Sequence, residues 1–443
     1  MKILLSHKDI LKLAAPISLA LLIPQVSFLT NTAFVGRLGE KELGVNGIGG
    51  VFYLLMAMVG YGLSNGLQVL MARRAGEGNR KGLGKILGNG IMLSLAFSCC
   101  LMVLALWLAP LLFSLNIQND ERLFLAVDFI YMRVWGLPCL MLTQLCNAFF
   151  IATGRSRFII YGSLTATLAN ILFDYLFIFG HWGFQASGLH GAAQASVCAE
   201  LIACLLMWTV FLSQRMHRKY ELRRLFAFDF ALARNTLNLA APLIVQYFFS
   251  IGGWLLFFFY VEHLGSKDLA ASQMLRSVLG IVGVCTWAFA SSCNTLVSRT
   301  IGQGLQDQVP RVIGKIVKLS LLSTCVIFLI LLSFPDYFLS LYTNDPELIR
   351  FAIPSLRMVA GATVVMSVAT VVFNGVVGTG NTRVNLLIEV TCVLIYILYC
   401  WIFIKQMKLP LYVAWGSEFV YWGILLLISS LYLSSGRWKG KVI

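Results

Sequence analysis

Residues 91–113 read IMLSLAFSCCLMVLALWLAPLLF and contain no charged side chain. A helix of this length crosses the ~30 Å hydrocarbon core of a bilayer. A strand of a membrane β-barrel would instead have about ten residues of alternating polarity, and this stretch shows no alternation. The stretch therefore predicts a transmembrane α-helix and excludes a β-barrel.

Apolar blocks of similar length recur along the whole chain. Of its 443 residues, 59% are hydrophobic and 12% are charged, whereas a soluble protein has roughly 25% charged residues. The blocks predict an all-α membrane protein with twelve transmembrane helices, and they exclude soluble enzymes and nucleic-acid-binding proteins. The predicted spans are residues 10–35, 43–71, 86–113, 123–152, 158–180, 190–212, 235–262, 268–298, 312–333, 346–378, 384–405 and 411–434.

Basic residues are distributed unevenly between the loops. The formal net charge is +15, and 24 of the 34 lysines and arginines lie at the termini or in loops that follow even-numbered spans. Because cytoplasmic loops are enriched in basic residues, we expect both termini in the cytoplasm and the chain in the inner (plasma) membrane. The eleven cysteines lie in apolar blocks without the spacing of metal ligands, so neither a disulfide framework nor a metal site is expected.

The chain repeats itself after 226 residues without a gap. Each repeat holds six predicted spans, an even number, so the two halves have the same orientation in the membrane. We expect two six-helix lobes, residues 1–212 and 235–443, a basic cytoplasmic linker at 213–234, and a substrate site between the lobes. The matching landmarks are Leu13-Ala14-Ala15-Pro16 with Leu239-Ala240-Ala241-Pro242, Leu38-Gly39 with Leu264-Gly265, Gly76 and Gly78 with Gly302 and Gly304, Gly154 with Gly380, and Arg157 with Arg383.

Four segments at the ends of predicted spans carry recognisable motifs. The segments are Asn31-Thr32-Ala33-Phe34-Val35-Gly36-Arg37-Leu38-Gly39, Ala72-Arg73-Arg74-Ala75-Gly76-Glu77-Gly78-Asn79, Asn147-Ala148-Phe149-Phe150-Ile151-Ala152-Thr153-Gly154-Arg155 and Gly188-Leu189-His190-Gly191-Ala192-Ala193. In this order they resemble the multidrug and toxic compound extrusion (MATE) transporters of bacterial type. The resemblance implies a V-shaped pair of six-helix lobes that exports substrates while Na⁺ or H⁺ enters.

The resemblance also implies a cation site in the first half. Asn147, Asn170 and Asp174 match positions that form a polar cation site in the family. Two positions depart from the family pattern: Asn31 stands where many bacterial members have an aspartate, and Ser250 stands where one branch has a glutamate. We therefore expect ion coupling to depend on the first half.

Acidic residues within apolar spans indicate function, because burying a charge in hydrocarbon is costly. Asp174 lies four residues after Asn170, so one helix face presents a carboxylate and an amide oxygen together. Asn31, Asn147 and Ser196 are neutral polar residues that could complete a Na⁺ site, whereas proton binding needs only Asp174. Both coupling ions stay open, and the alternative role for Asp174 is helix packing with its polar partners satisfied.

Glu200 in the sixth span has two interpretations. It either contributes to a functional site, or it is satisfied by Ser196 one turn earlier or by a partner on another helix. Three further charged residues lie nearer span ends, where long side chains reach the interface, and are interpreted as structural. They are Asp128, Arg133 and Arg357.

Arg276 in the eighth span is too deep to remain without a partner. An ion pair with an acid of the same half is the first interpretation, and the available acids are Glu389, Glu418 and Glu262. The alternative is an arginine that lines a cavity and selects anionic or zwitterionic substrates.

We expect a secondary antiporter that exports small organic compounds. The alternative is a lipid-linked saccharide flippase of the same superfamily, although such flippases usually have additional spans or a more basic central cavity. No nucleotide-binding Gly-x-x-x-x-Gly-Lys-Ser/Thr motif is present, which argues against ATP as the energy source. The expected protein is a monomer in the lipid bilayer that binds no nucleic acid, has no enzymatic activity and takes no cofactor other than the coupling ion.

Overall fold

The computed structural model describes residues 6–115, 117, 119–222, 228–343 and 345–440. Within these residues, twelve helices are long and apolar enough to cross a membrane, and no β-strand is present. The predicted all-α class with twelve transmembrane helices is confirmed. The helices are α1 (His7–Gly36), α2 (Glu40–Gly76), α3 (Arg80–Ser114), α4 (Asp120–Ala152), α5 (Arg157–Phe179), α6 (Gly188–Ser213), α7 (Phe230–Glu262), α8 (Ser266–Gly302), α9 (Gln306–Ser333), α10 (Pro346–Gly378), α11 (Thr382–Gln406) and α12 (Leu411–Ser434).

Large apolar side chains cover much of the helix exteriors. Trp107 and Val103 on α3 leave 70% and 69% of their surfaces exposed, and Leu431 on α12 leaves 60% exposed. Such a surface is unfavourable in water but matches the hydrocarbon of a bilayer. The chain is therefore a multi-pass membrane protein.

Glycines at corresponding places in the two halves form turns between helices. Their backbones have positive φ angles, a conformation that costs a residue with a side chain roughly 1–2 kcal/mol. This requirement explains why the same glycines recur after 226 residues in the sequence. The pairs are Gly39 and Gly265 (φ 145° and 150°), Gly78 and Gly304 (71° and 75°), and Gly154 and Gly380 (73° and 86°).

Helix α4 is interrupted in its middle. A 3₁₀ turn at Val134–Gly136 separates the segment Asp120–Arg133 from the segment Leu137–Ala152. Pro138 follows the turn; proline lacks the N–H that a helix interior needs, but it is accepted in the first turn of a new helix. The interruption leaves Arg133 at the end of a helical segment inside the protein.

The chain forms two compact units. The first unit is Ala15–Ile244, and the second combines Met1–Ala14 with Val245–Ile443. The predicted lobes at 1–212 and 235–443, with a linker at 213–234, stay a prediction. Part of that linker, residues 223–227, lies outside the described residues.

Small residues allow close helix packing in the first unit. A Cβ atom at Gly62 or Gly66 of α2 would collide with Ile244 or Ala240 of α7. In a bilayer, where lipid chains are as apolar as leucine, close packing of this kind is a main source of helix association. A larger side chain at either glycine would force the start of α7 away from α2.

Asp229 fixes the start of α7 within the same unit. Its carboxylate accepts a hydrogen bond from the Leu232 backbone N–H at 3.0 Å and pairs with Lys85 of α3. Its own N–H donates to Asn89 Oδ1 at 3.0 Å. The bond from Lys85 and the backbone donors hold the pKa of Asp229 below its usual range, because both favour the ionised form.

The second unit has an aromatic core. Phe257 of α7, Tyr396 of α11 and Trp415 of α12 are almost completely buried. The rings of Phe257 and Trp415 meet edge to face with centroids 5.0 Å apart, an arrangement that aromatic pairs prefer. This cluster ties three helices of the unit together.

Candidate functional site

Asp174 on α5 is fully buried in the first unit. Its Oδ2 accepts a hydrogen bond from Asn31 Nδ2 of α1 at 3.0 Å. Asn46 Nδ2 of α2 in turn donates to Asn31 Oδ1 at 3.5 Å. The other carboxylate oxygen, Asp174 Oδ1, has no hydrogen-bond partner in the described part of the chain. One oxygen of the acid is thus hydrogen-bonded to α1, while the second is buried and available to bind a proton or a cation.

Asn170, one turn before Asp174, links α5 to α1 and to α6. Its Oδ1 accepts a hydrogen bond from the Ser27 hydroxyl of α1 at 2.7 Å. Its Nδ2 donates to Ser196 Oγ of α6 at 3.4 Å. Because Asn170 and Asp174 share one face of α5, the two sets of bonds form a continuous polar strip between α1, α5 and α6.

The structure brings four of the five predicted cation-site residues into this strip. The fifth, Asn147 on α4, is not connected to it: the Asn147 Oδ1 is buried without a hydrogen-bond partner among the described residues. Two residues of the strip, Ser27 and Asn46, escaped the sequence reasoning. Both are neutral polar residues within apolar helices, and Ser27 lies one turn before Asn31, which is the signal that could have identified it. The four predicted members are Asn31, Asn170, Asp174 and Ser196.

The electrostatics of this strip favour a bound cation. Asp174 takes part in none of the ion pairs formed by the described residues, and the donor on its Oδ2 is a neutral amide. A buried carboxylate in such surroundings is poorly stabilised, so a proton or a small metal cation would lower its energy. In the described residues, no group of three or more His, Cys, Asp or Glu side chains could hold a metal ion. Asp174 is the one acid among the hydrogen-bonded residues of the strip, so a single positive charge would neutralise it.

Glu200 on α6 forms an ion pair with Arg133 of α4. The guanidinium donates from Nη2 to Glu200 Oε1 at 2.7 Å and from Nη1 to Oε2 at 2.9 Å. The Tyr53 hydroxyl of α2 donates to the same carboxylate at 3.0 Å, and its ring lies 3.7 Å from the guanidinium carbon. The sequence predicts a structural role for Arg133, with its side chain reaching the interface. The break in α4 instead leaves it between three helices, with a side chain only 14% exposed.

Arg276 on α8 does not form the expected ion pair. In the part of the chain that the structure describes, no salt bridge joins it to Glu389, Glu418 or Glu262. Its guanidinium instead lies over the rings of two α7 residues, 4.9 Å from the centre of Trp254 and 5.7 Å from that of Phe258. The π faces of these rings attract a cation without a carboxylate, and Arg276 is an exposed residue.

The two buried acids of the second unit have aromatic partners instead. Glu389 Oε1 of α11 accepts a hydrogen bond from the Tyr421 hydroxyl at 2.6 Å. Glu418 Oε2 of α12 accepts one from Trp422 Nε1 at 2.9 Å. The exposed fractions of the two glutamates are 1% and 4%, so each is closed off from solvent.

A family model named MatE matches the chain twice, at residues 16–176 and 242–402. Each end of the second match lies 226 residues after the corresponding end of the first, which is the spacing of the internal repeat. The chain belongs to the MatE family. The resemblance to bacterial MATE transporters is thereby confirmed, and this MatE protein is a transporter with two parallel six-helix repeats.

Known MatE relatives cover nearly the whole chain. A probable multidrug resistance protein NorM of Synechocystis sp. is 26% identical over 389 residues, covering 86% of this chain and 84% of the relative. A probable NorM of Thermotoga maritima is 22% identical over 445 residues, covering 99% and 94%. A solved structure, described as the outward-facing conformation of a multidrug resistance MATE family transporter of the MOP superfamily, matches with a TM-score of 0.89 at 16% identity, covering 97% and 96%. This last likeness shows the MatE fold.

Proposed function

We propose that this protein is a secondary antiporter that exports small organic compounds while H⁺ or Na⁺ enters. The observation that carries the proposal is Asp174, a fully buried acid with one bonded oxygen, one unpartnered oxygen and no salt bridge among the described residues. The charge of Arg133 acts on Asp174, but the Arg133 guanidinium is paired with Glu200. A transporter driven by an ion gradient needs a site where a cation can be held and released inside the membrane. The multidrug resistance relatives support organic compounds as the substrates.

Cation binding at Asp174 would directly change the hydrogen bonds between α5 and α1. Asn31 Nδ2 and the Ser27 hydroxyl both donate from α1 to acceptors on α5. A proton or Na⁺ on Asp174 competes with the Asn31 donor for the negative charge, which weakens that link. The occupancy of the site is thus coupled to the position of α1, and alternating access by two lobes is the mechanism that we propose.

Asn31 sets the charge of this site. An aspartate at that position would face Asp174 as a second carboxylate, and the two like charges would repel at short range. With an amide there, the strip carries a single negative charge. We therefore propose that one monovalent cation is bound in each transport cycle.

The proposed setting is the inner (plasma) membrane, with a monomeric chain and both termini in the cytoplasm. The excess of lysine and arginine in loops after even-numbered spans supports this orientation. Reporter fusions at the C-terminus would contradict it if they were active only outside the cytoplasm.

The test is transport in proteoliposomes under imposed Na⁺ and H⁺ gradients. Cationic, zwitterionic and anionic compounds are offered in turn. Asp174→Asn should abolish gradient-driven export while the protein stays folded, because the amide keeps the shape and removes the charge. A matched control is Asp128→Asn, since Asp128 is paired with His190 and only part-buried. Wild-type export by Asp174→Asn under both gradients would refute the proposal.

A further inference from the structure

A second polar cluster lies in the second unit, between α7, α11 and α12. Asn385 Nδ2 of α11 donates a hydrogen bond to Gln246 Oε1 of α7 at 2.6 Å. One turn further along α11, Glu389 Oε1 accepts from the Tyr421 hydroxyl of α12 at 2.6 Å. Asn385 is 0% exposed and Glu389 is 1% exposed. Both α11 residues are therefore buried, while Gln246 and Tyr421 are half-buried.

Each of the two α11 residues has one oxygen without a partner. Glu389 Oε2 and Asn385 Oδ1 are buried and make no hydrogen bond within the described residues. Because the residues are four positions apart, their side chains project from the same face of α11. Both unpartnered atoms are acceptors when Glu389 is ionised, so neither can satisfy the other. A buried, unsatisfied polar atom is costly, and a buried carboxylate without a counter-charge is more so.

The neighbours of Glu389 do not supply a positive charge. The titratable groups that interact with it are Tyr421 on α12 and Cys392 on α11. Two α7 residues lie at the cluster: the Ser250 side chain interacts with the Glu389 carboxyl group, and Gln246 is bonded to Asn385. Neither of these side chains titrates. No charged side chain from α10 acts on it within the described residues.

The other buried acid of the second unit, Glu418, has a hydrogen-bond partner outside this cluster. Glu418, on α12, accepts a hydrogen bond from Trp422 Nε1. Glu389 thus has no cationic partner and no second carboxylate among its described contacts. The cluster lacks a positive charge that could lie between Glu389 Oε2 and Asn385 Oδ1.

We propose that Glu389 is a second proton-binding site of this protein, with the proton carried on Oε2 and shared with Asn385 Oδ1. The carboxylate gains one proton and becomes a neutral acid. Its new O–H is a donor, so a single proton satisfies both unpartnered oxygens. A metal cation suits the cluster less well, because it requires several oxygen ligands and the cluster has two unpartnered ones. The inference concerns proton binding and holds whether or not the proposed export function is correct.

This site is not the repeat copy of the Asp174 site. Both have an asparagine one turn before an acid, on the fifth helix of the first half and the fifth helix of the second half. The positions 226 residues after Asn170 and Asp174 are, however, Tyr396 and Cys400. Asn385 and Glu389 lie 11 residues earlier in α11, which is roughly 16 Å along the helix axis. Glu389 therefore lies at a different position along its helix from the position that corresponds to Asp174.

Infrared difference spectroscopy tests the proposal directly. The purified protein in detergent should show the carbonyl stretch of a buried protonated carboxylic acid at neutral pH. Glu389→Gln should remove that band, and Asn385→Leu should shift it, because the acid loses its acceptor. Glu262→Gln is the matched control, since Glu262 is exposed at the end of α7 and its removal should leave the band unchanged. Asp174→Asn identifies any band that comes from the first unit.

Two outcomes would overturn the proposal. One is a spectrum in which Glu389→Gln removes no band. The other is direct competition with Na⁺. If the proton concentration at the midpoint of the band's titration changes tenfold for each tenfold change in Na⁺ concentration, the cluster is a sodium site. If Glu389→Gln does not fold, Tyr421→Phe replaces it: this variant removes the donor to Oε1, so the band must move, and an unmoved band refutes the assignment.

Discussion

Removing one partner of the ion pair between Arg133 and Glu200 should destabilise the first unit far more than removing both partners together. Two changes separate its contributions: Glu200→Gln leaves the guanidinium without a counter-charge, and Arg133→Met leaves the carboxylate without one. The double variant removes both charges together. Comparing the three variants with the wild type isolates the interaction between the two side chains.

The expected magnitudes follow from the burial of the pair. The side chains are only 14% and 16% exposed, and they are joined by two hydrogen bonds of 2.7 and 2.9 Å. Removing one partner of a buried, hydrogen-bonded pair costs about 3–5 kcal/mol, since the remaining charge stays buried. The double variant loses the pair and its burial cost together, so its stability should fall by only about 1 kcal/mol. The two single losses together, less the loss in the double variant, give a coupling energy of at least about 5 kcal/mol.

The assay is equilibrium unfolding in mixed detergent micelles, followed by tryptophan fluorescence. The matched control is the same cycle on Lys267 and Glu347, an ion pair whose side chains are 42% and 82% exposed. That control should give a coupling of about 0–1 kcal/mol. A coupling for Arg133 and Glu200 that is no larger than the control would refute the reasoning.

Two further predictions concern a turn and a helix cap. Gly304→Ala should lower the free energy of unfolding by about 1–2 kcal/mol, because Gly304 has φ 75° and a methyl group there meets only backbone strain. The control is Gly314→Ala, in open space within α9, which should leave the stability unchanged or raise it by up to about 1 kcal/mol. Equal shifts in melting temperature for the two variants would contradict the prediction. Asp229 has a lowered folded pKa, so it stabilises above its unfolded pKa of about 3.9 and loses that effect as pH falls through the folded value. The melting temperature of the wild type should therefore fall towards that of Asp229→Asn below about pH 4, and a constant gap would contradict the prediction.

The helices were predictable because their length and composition are imposed by the bilayer. Residues 86–113 were predicted as a span and lie within Arg80–Ser114. The additional turn at the start of α3 carries Arg80, Lys81 and Lys85, which hydropathy assigns to a loop. Such residues can continue a helix beyond the apolar block, so the number of spans is easier to predict than their ends.

The strip at Asp174 was partly predictable, whereas the partners of the arginines were not. Helix periodicity places Asn170 beside Asp174, but it says nothing about which helix faces them. Arg133 lies between helices because a 3₁₀ turn interrupts α4 there, and hydropathy does not detect such a turn. Arg276 was expected to meet a carboxylate, yet it lies over two aromatic rings. A cation can be accommodated by either kind of partner, and composition alone does not distinguish them.

The glycine turns bear on how the two halves could have diverged from a duplicated ancestor. A turn glycine with positive φ resists replacement in both copies, because every other residue meets the same backbone penalty. Helix faces carry no such constraint, and the acids of the two halves stand at different repeat positions, Asp174 in one and Glu389 in the other. Selection therefore retains the turn glycines of both copies, while the position of the buried acid along the helix is free to differ between them.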